Sequence, residues 1–133
     1  MRRIVLDTSA YSAFLRGHGE IRAVLQRVAE ILVIPVVLGE LRAGFRKGSQ
    51  RPKNEKLLEQ FLASPRVRVI PLDEETADRY GEIVSSLRAA GRPIPTNDLW
   101  IAASAMQWAG YVVSTDSHFR HIPQITSEIF STR

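Results

Sequence analysis

Four acidic residues stand far apart in the chain, each next to an element boundary: Asp7, Glu40, Asp98 and Asp116. Asp7 ends the apolar run Ile4-Val5-Leu6, and Asp116 follows Tyr111-Val112-Val113-Ser114-Thr115. Asp98 comes just after Pro93-Ile94-Pro95, and Glu40 lies in the segment following Ile31 to Pro35. If the apolar runs are parallel neighbouring strands, their carboxyl ends share one edge, where open α/β sheets bind ligands. Four carboxylates gathered there raise one another's pKa, and a divalent cation reverses that effect. Oxygen ligands suit the hard ions Mg²⁺ or Mn²⁺. Such ions generate hydroxide from bound water and take up charge on a scissile phosphate. Metal-dependent phosphodiester hydrolysis is therefore the leading reading, with either one ion or two.

Each acid also has a simpler role available. Asp7 can cap a helix starting at Thr8, Asp98 can complement a helix dipole, Asp116 can hold a turn with Ser117, and Glu40 can be a solvated helix residue. The joint pattern favours a site, because small polar residues accompany the acids: Thr8 and Ser9 after Asp7, Asn97 before Asp98, Thr115 before Asp116. Such groups orient carboxylates and metal-bound water.

The elements that must position these residues alternate. Ile4 to Leu6 reads as a buried strand, followed by a helix over Thr8 to Leu15 and another from Glu20 to Ala29. Ile21, Val24, Leu25 and Val28 mark one face of that second helix. Ile31 to Ile34 is apolar throughout, as in a strand covered on both faces. A helix after Pro35 buries Val37, Leu38, Leu41 and Phe45, and the stretch Gly48 to Pro52 breaks it. Asn54 to Ala63 is a further helix, and Val67 to Ile70 a strand. Asp73 caps the next helix, which Gly91 ends. Thr96 is the expected N-cap of the helix carrying Asp98, whose apolar stretch is Leu99 to Ala109. Tyr111 to Ser114 is a strand, Ser117 to Arg120 a helical turn, and Thr126 to Ile129 a weak last strand. Alternation of this kind predicts a three-layer α/β/α sandwich around a mostly parallel sheet, formed as one domain over residues 1–133.

Composition narrows the function classes. The chain has 133 residues and no cysteine, which excludes disulfide staples and thiolate sites and fits a cytoplasmic setting. Its longest apolar run is far shorter than the roughly 20 residues of a spanning helix, so no membrane role is expected. The net charge of +4 favours a polyanionic partner. Arg42, Arg46, Lys47, Arg51, Lys53 and Lys56 cluster after Glu40 and are candidates to grip RNA phosphates; a solvated helical hairpin would have the same composition. His18, His118 and His121 lack zinc spacing. His118 stands near Asp116 and could touch substrate, though a surface place is the default. Trp100, Met106 and Trp108 fit core or subunit contacts better than base stacking. No Gly-x-Ser-x-Gly elbow is present.

Four ordered segments resemble the PIN domain, and within it the VapC-type toxins of toxin–antitoxin pairs. They are Val5-Leu6-Asp7-Thr8-Ser9-Ala10-Tyr11, Ile34-Pro35-Val36-Val37-Leu38-Gly39-Glu40-Leu41-Arg42-Ala43-Gly44, Pro95-Thr96-Asn97-Asp98-Leu99-Trp100-Ile101-Ala102-Ala103 and Val113-Ser114-Thr115-Asp116-Ser117-His118-Phe119. The resemblance implies an Mg²⁺- or Mn²⁺-dependent endoribonuclease. In it Asp7 and Asp98 are the main metal ligands, Glu40 and Asp116 complete the site, and Thr8 or Ser9, Asn97 and Thr115 support it. A hydroxyl common in that family before the Glu is absent here, where Val36 and Val37 stand. The resemblance further implies a homodimer and a cognate antitoxin covering the site. Two rival readings remain: a catalytically silent module that binds a protein partner, and an aspartyl-phosphate enzyme using Asp7. The second wants another Asp two residues on, where Ser9 stands.

Overall fold

The computed structural model describes residues 2–108 and 110–132. The strands are β1 (Arg3–Leu6), β2 (Glu30–Val33), β3 (Val67–Val69), β4 (Tyr111–Ser114) and β5 (Ser127–Ile129). The helices are α1 (Thr8–Leu15), α2 (Gly19–Arg27), α3 (Pro35–Lys47), α4 (Arg51–Leu62), α5 (Glu74–Ala89) and α6 (Thr96–Trp108), with a 3₁₀ turn at Ser117–His121. Among the described residues these make a five-stranded sheet in the order β3-β2-β1-β4-β5, and every pairing in it is parallel.

That order follows from the apolar runs. β1, β2 and β4 each bury three successive residues, which requires cover on both faces of the sheet. Ile4, Val5, Leu6, Leu32, Val112 and Val113 are 0–1% exposed, and burying each contributes roughly 1.5–3 kcal/mol. The chain moves from β1 to β3 in one direction across the sheet, then returns to place β4 on the other side of β1. Right-handed crossovers put α1 to α4 on one face and α5 and α6 on the other, giving three layers. The reversal leaves a crevice at the carboxyl ends of β1 and β4.

Local chemistry sets the ends of the helices. Asp7 caps α1, and Asp73 with Thr76 forms a capping box on α5. Pro35 begins α3, where a missing N–H is harmless. Gly17 (φ 92°) and Gly91 (φ 67°) follow α1 and α5 in the left-handed region, which glycine adopts without strain. Tyr80 of α5 stacks on Trp100 of α6 with ring centroids 4.2 Å apart, locking these two helices together.

Several boundaries differ from the sequence reading; α2, for one, ends at Arg27 rather than Ala29. Helix α4 starts at Arg51, with Pro52 inside its first turn; the proline that reads as a breaker is one a first turn tolerates. Thr96 is the first helical residue of α6 rather than its cap, and the Pro95 carbonyl accepts from the Leu99 N–H. The apolar stretch Leu99 to Ala109 is helical as far as Trp108, and Ala109 lies outside the described residues.

Candidate metal centre

The register of β1 against β4 builds the floor of the site. Leu6 pairs with Val113, so Asp7 and Ser114 follow side by side. Ser114, fully buried, donates its hydroxyl to Asp7 Oδ2 at 2.5 Å and accepts from the Asp116 N–H at 2.8 Å. Ser9 Oγ lies 2.9 and 3.0 Å from the two Asp7 oxygens and shares its one proton between them, and its oxygen accepts the Thr115 N–H. The Ala10 N–H donates to Asp7 Oδ1 at 2.8 Å, so Asp7 is also the cap of α1. Thr115 enters this network through its backbone.

The walls come from α3, α6 and the turn after β4. Glu40 is exposed on α3, beside the face that buries Val37, Leu41 and Phe45. Thr8 Oγ1 donates to Glu40 Oε1 at 2.6 Å, and Asn97 Nδ2 donates to Glu40 Oε2 at 3.1 Å. These two bonds tie α3 to the starts of α1 and α6. Asp98, in the first turn of α6, faces Asp116, which caps the 3₁₀ turn by accepting the His118 N–H. His118 Nδ1 lies 3.2 Å from Asp98 Oδ2 and 3.0 Å from Asp116 Oδ1.

Among the described residues, the tightest group able to hold a metal is Asp98, Asp116 and His118, with one ligand atom of each within 4.8 Å of the others. Asp7 and Glu40 stand outside this trio but are electrostatically linked to it: the charge of Glu40 raises Asp98, and the charge of Asp98 raises Asp7. Burial pushes Asp7 up to about 6, against the hydrogen bonds from Ser114, Ala10 and Ser9. Asp98 is also raised, first by burial and then by the charges of Asp116 and Glu40, while His118 opposes the shift. A site that penalises its own negative charge wants a cation. Two carboxylates and an imidazole within reach of each other form a donor set that fits a hard or borderline divalent ion.

Arg42 forms an ion pair with Glu55 of α4. Arg46 and Lys47 are exposed in the last turn of α3. Two residues gain weight that the sequence alone did not give them. Ser114 looked like strand filler, and only the β1–β4 register reveals it as the partner of Asp7. His118 looked like a surface residue; its place two residues after Asp116, at the start of a capped turn, was the signal that could have found it.

Comparison with known proteins agrees with this architecture. The PIN domain family matches residues 4–125. Ribonuclease VapC4 of Mycobacterium tuberculosis is 31% identical over 127 residues, covering 94% of this chain and 95% of its own. Ribonuclease VapC5 of the same organism is 31% identical over 116 residues, covering 86% and 84%. The structure of VapBC2 from Rickettsia felis, bound to a DNA fragment from its promoter, superposes with a TM-score of 0.86 at 26% identity, covering 96% of this chain and 98% of that one. Matched from β1 to beyond β4, the chain belongs to the PIN domain family and is related to the VapC ribonuclease toxins of VapBC toxin–antitoxin systems.

Proposed function

We propose that this protein is a metal-dependent endoribonuclease toxin, formed as one nuclease domain, that hydrolyses RNA phosphodiester bonds at Asp7, Glu40, Asp98 and Asp116. The observation that carries the proposal is the convergence of Asp98 and Asp116 at one edge of the sheet, beside a buried Asp7 whose carboxyl is pushed up to about 6. The ribonuclease names of its relatives VapC4 and VapC5 support the same reading.

Asp98 and Asp116 would hold Mg²⁺ or Mn²⁺, with Asp7 beneath them and Glu40 at the rim. The bound ion supplies an activated water and offsets charge building on the phosphate. The chain's own residues do the rest. Ser9, Ser114 and the Ala10 N–H fix Asp7 with its oxygens in one orientation. Thr8 and Asn97 each donate to one oxygen of Glu40, leaving the exposed carboxylate positioned to orient a water or accept its proton. The amino end of α6, thirteen residues long, favours an anion approaching that side. Exposed Arg46 and Lys47 attract the RNA backbone.

A solved relative, VapBC-5 of Mycobacterium tuberculosis, is a member of the VapBC family of toxin–antitoxin systems, which supports a cognate antitoxin as partner here. A homodimer and a cytoplasmic setting complete the proposal. Among the described residues no helix is long and apolar enough to cross a membrane. The deciding experiment is cleavage of a mixed RNA substrate after chelation and dialysis. Mg²⁺ or Mn²⁺ should restore activity, and Asp98→Asn should abolish it with the circular dichroism spectrum unchanged. Full cleavage in EDTA would refute the metal mechanism. Failure to bind any divalent ion at millimolar concentration would favour a silent protein-binding module instead.

A further inference from the structure

His118 has no part in the four-carboxylate scheme, yet it stands between two of its members. Its Nδ1 is 3.2 Å from Asp98 Oδ2 and 3.0 Å from Asp116 Oδ1. One ring nitrogen carries at most one proton, so it cannot give a full hydrogen bond to both oxygens. A coordination shell makes better use of the arrangement. Adjacent ligands around an octahedral ion with bonds of about 2.1 Å lie roughly 3 Å apart, the bond length multiplied by √2. Both measured separations match such an edge. The ring is also well anchored for the task. The His118 N–H donates to Asp116 Oδ1 at 2.9 Å, and the next residue, Phe119, is 1% exposed in the core. No loop needs to rearrange for Nδ1 to face the two carboxylates.

Building on the metal site proposed above, we infer that His118 Nδ1 is a third protein ligand of the cation and tilts the site toward Mn²⁺ over Mg²⁺. Carboxylates and water serve both ions, whereas imidazole nitrogen favours later and softer metals. In this arrangement the ring keeps its proton on Nε2 and offers the Nδ1 lone pair to the ion. A hydrogen-bonding placeholder makes a different prediction: removing it would change the affinity for both ions in parallel.

The test uses the full chain loaded with one equivalent of Mn²⁺ and no RNA. Pulsed EPR should detect the nitrogen hyperfine coupling of a directly bound imidazole in the wild type and lose it in His118→Gln. Calorimetric titration should show Mn²⁺ affinity falling by about tenfold or more in His118→Gln, with a distinctly smaller change for Mg²⁺. Bound Mn²⁺ without nitrogen coupling, or equal changes for both ions, would overturn the ligand role and leave the carboxylate site standing. The wild-type measurement decides this even if the variant folds poorly. A wild type that binds no Mn²⁺ at millimolar ion would overturn the inference and the metal site together.

Discussion

Asp7 carries two opposed demands. It caps α1 and anchors the site floor, yet it is only 4% exposed and burial raises its carboxyl to about 6. A folded-state value above the unfolded one means that the native metal-free protein binds the proton more tightly. Its contribution to stability is therefore fully present below about pH 4 and lost as pH rises through about 6. The loss amounts to about 3 kcal/mol, from roughly two pKa units at 1.36 kcal/mol each. Asp98, also raised, acts in the same direction. Asp7→Asn should accordingly raise the melting temperature of metal-free protein at pH 7 while removing metal-dependent cleavage; a lower melting temperature there would contradict the desolvation argument. Ser114→Ala should push the Asp7 carboxyl further up, because it deletes the strongest opposing hydrogen bond. An NMR carboxyl titration reads that shift, and divalent affinity at pH 7 should weaken with it.

At the scale of elements, junctions matter more than helix interiors. Gly91 ends α5 with φ 67°, and a Cβ there would meet open space, so only backbone strain opposes a side chain. Gly91→Ala should cost about 1 kcal/mol and lower the melting temperature on the order of 4 °C, with RNA cleavage retained. Junctions also decided what the sequence could reveal. Strands β1, β2 and β4 were legible because their apolar runs are rich in β-branched residues and too short for a buried helix. The start of α4 was not, since Pro52 has the same letter whether it breaks a helix or opens one. Asp7 and Asp116 were legible as a pair because each closes an apolar strand. The roles of Ser114 and His118 were hidden because they depend on which strands are neighbours and on register, and register is a long-range property.

At the scale of the whole molecule, the net charge of +4 includes exposed cations on α3 and α4. Arg42 is held by Glu55, so its contribution is to join two helices. Arg46 and Lys47 are exposed in the last turn of α3 and remain available to a polyanion. RNA affinity should fall linearly on a logarithmic salt scale. Substituting Arg46 and Lys47 together with alanine should flatten that slope by about 1 to 2, measured by fluorescence anisotropy across a salt series. Arg42→Ala should leave the slope nearly unchanged and loosen the α3–α4 contact, seen as faster amide hydrogen exchange there. The position of β4 beside β1 carries a last consequence for synthesis. Asp7 is made well ahead of its companions Ser114, Asp116 and His118, with 107 positions separating it from Ser114. The β1–β4 edge, and the metal site proposed on it, therefore exist only once β4 has been made, and a chain stopped before residue 111 should bind no divalent ion there.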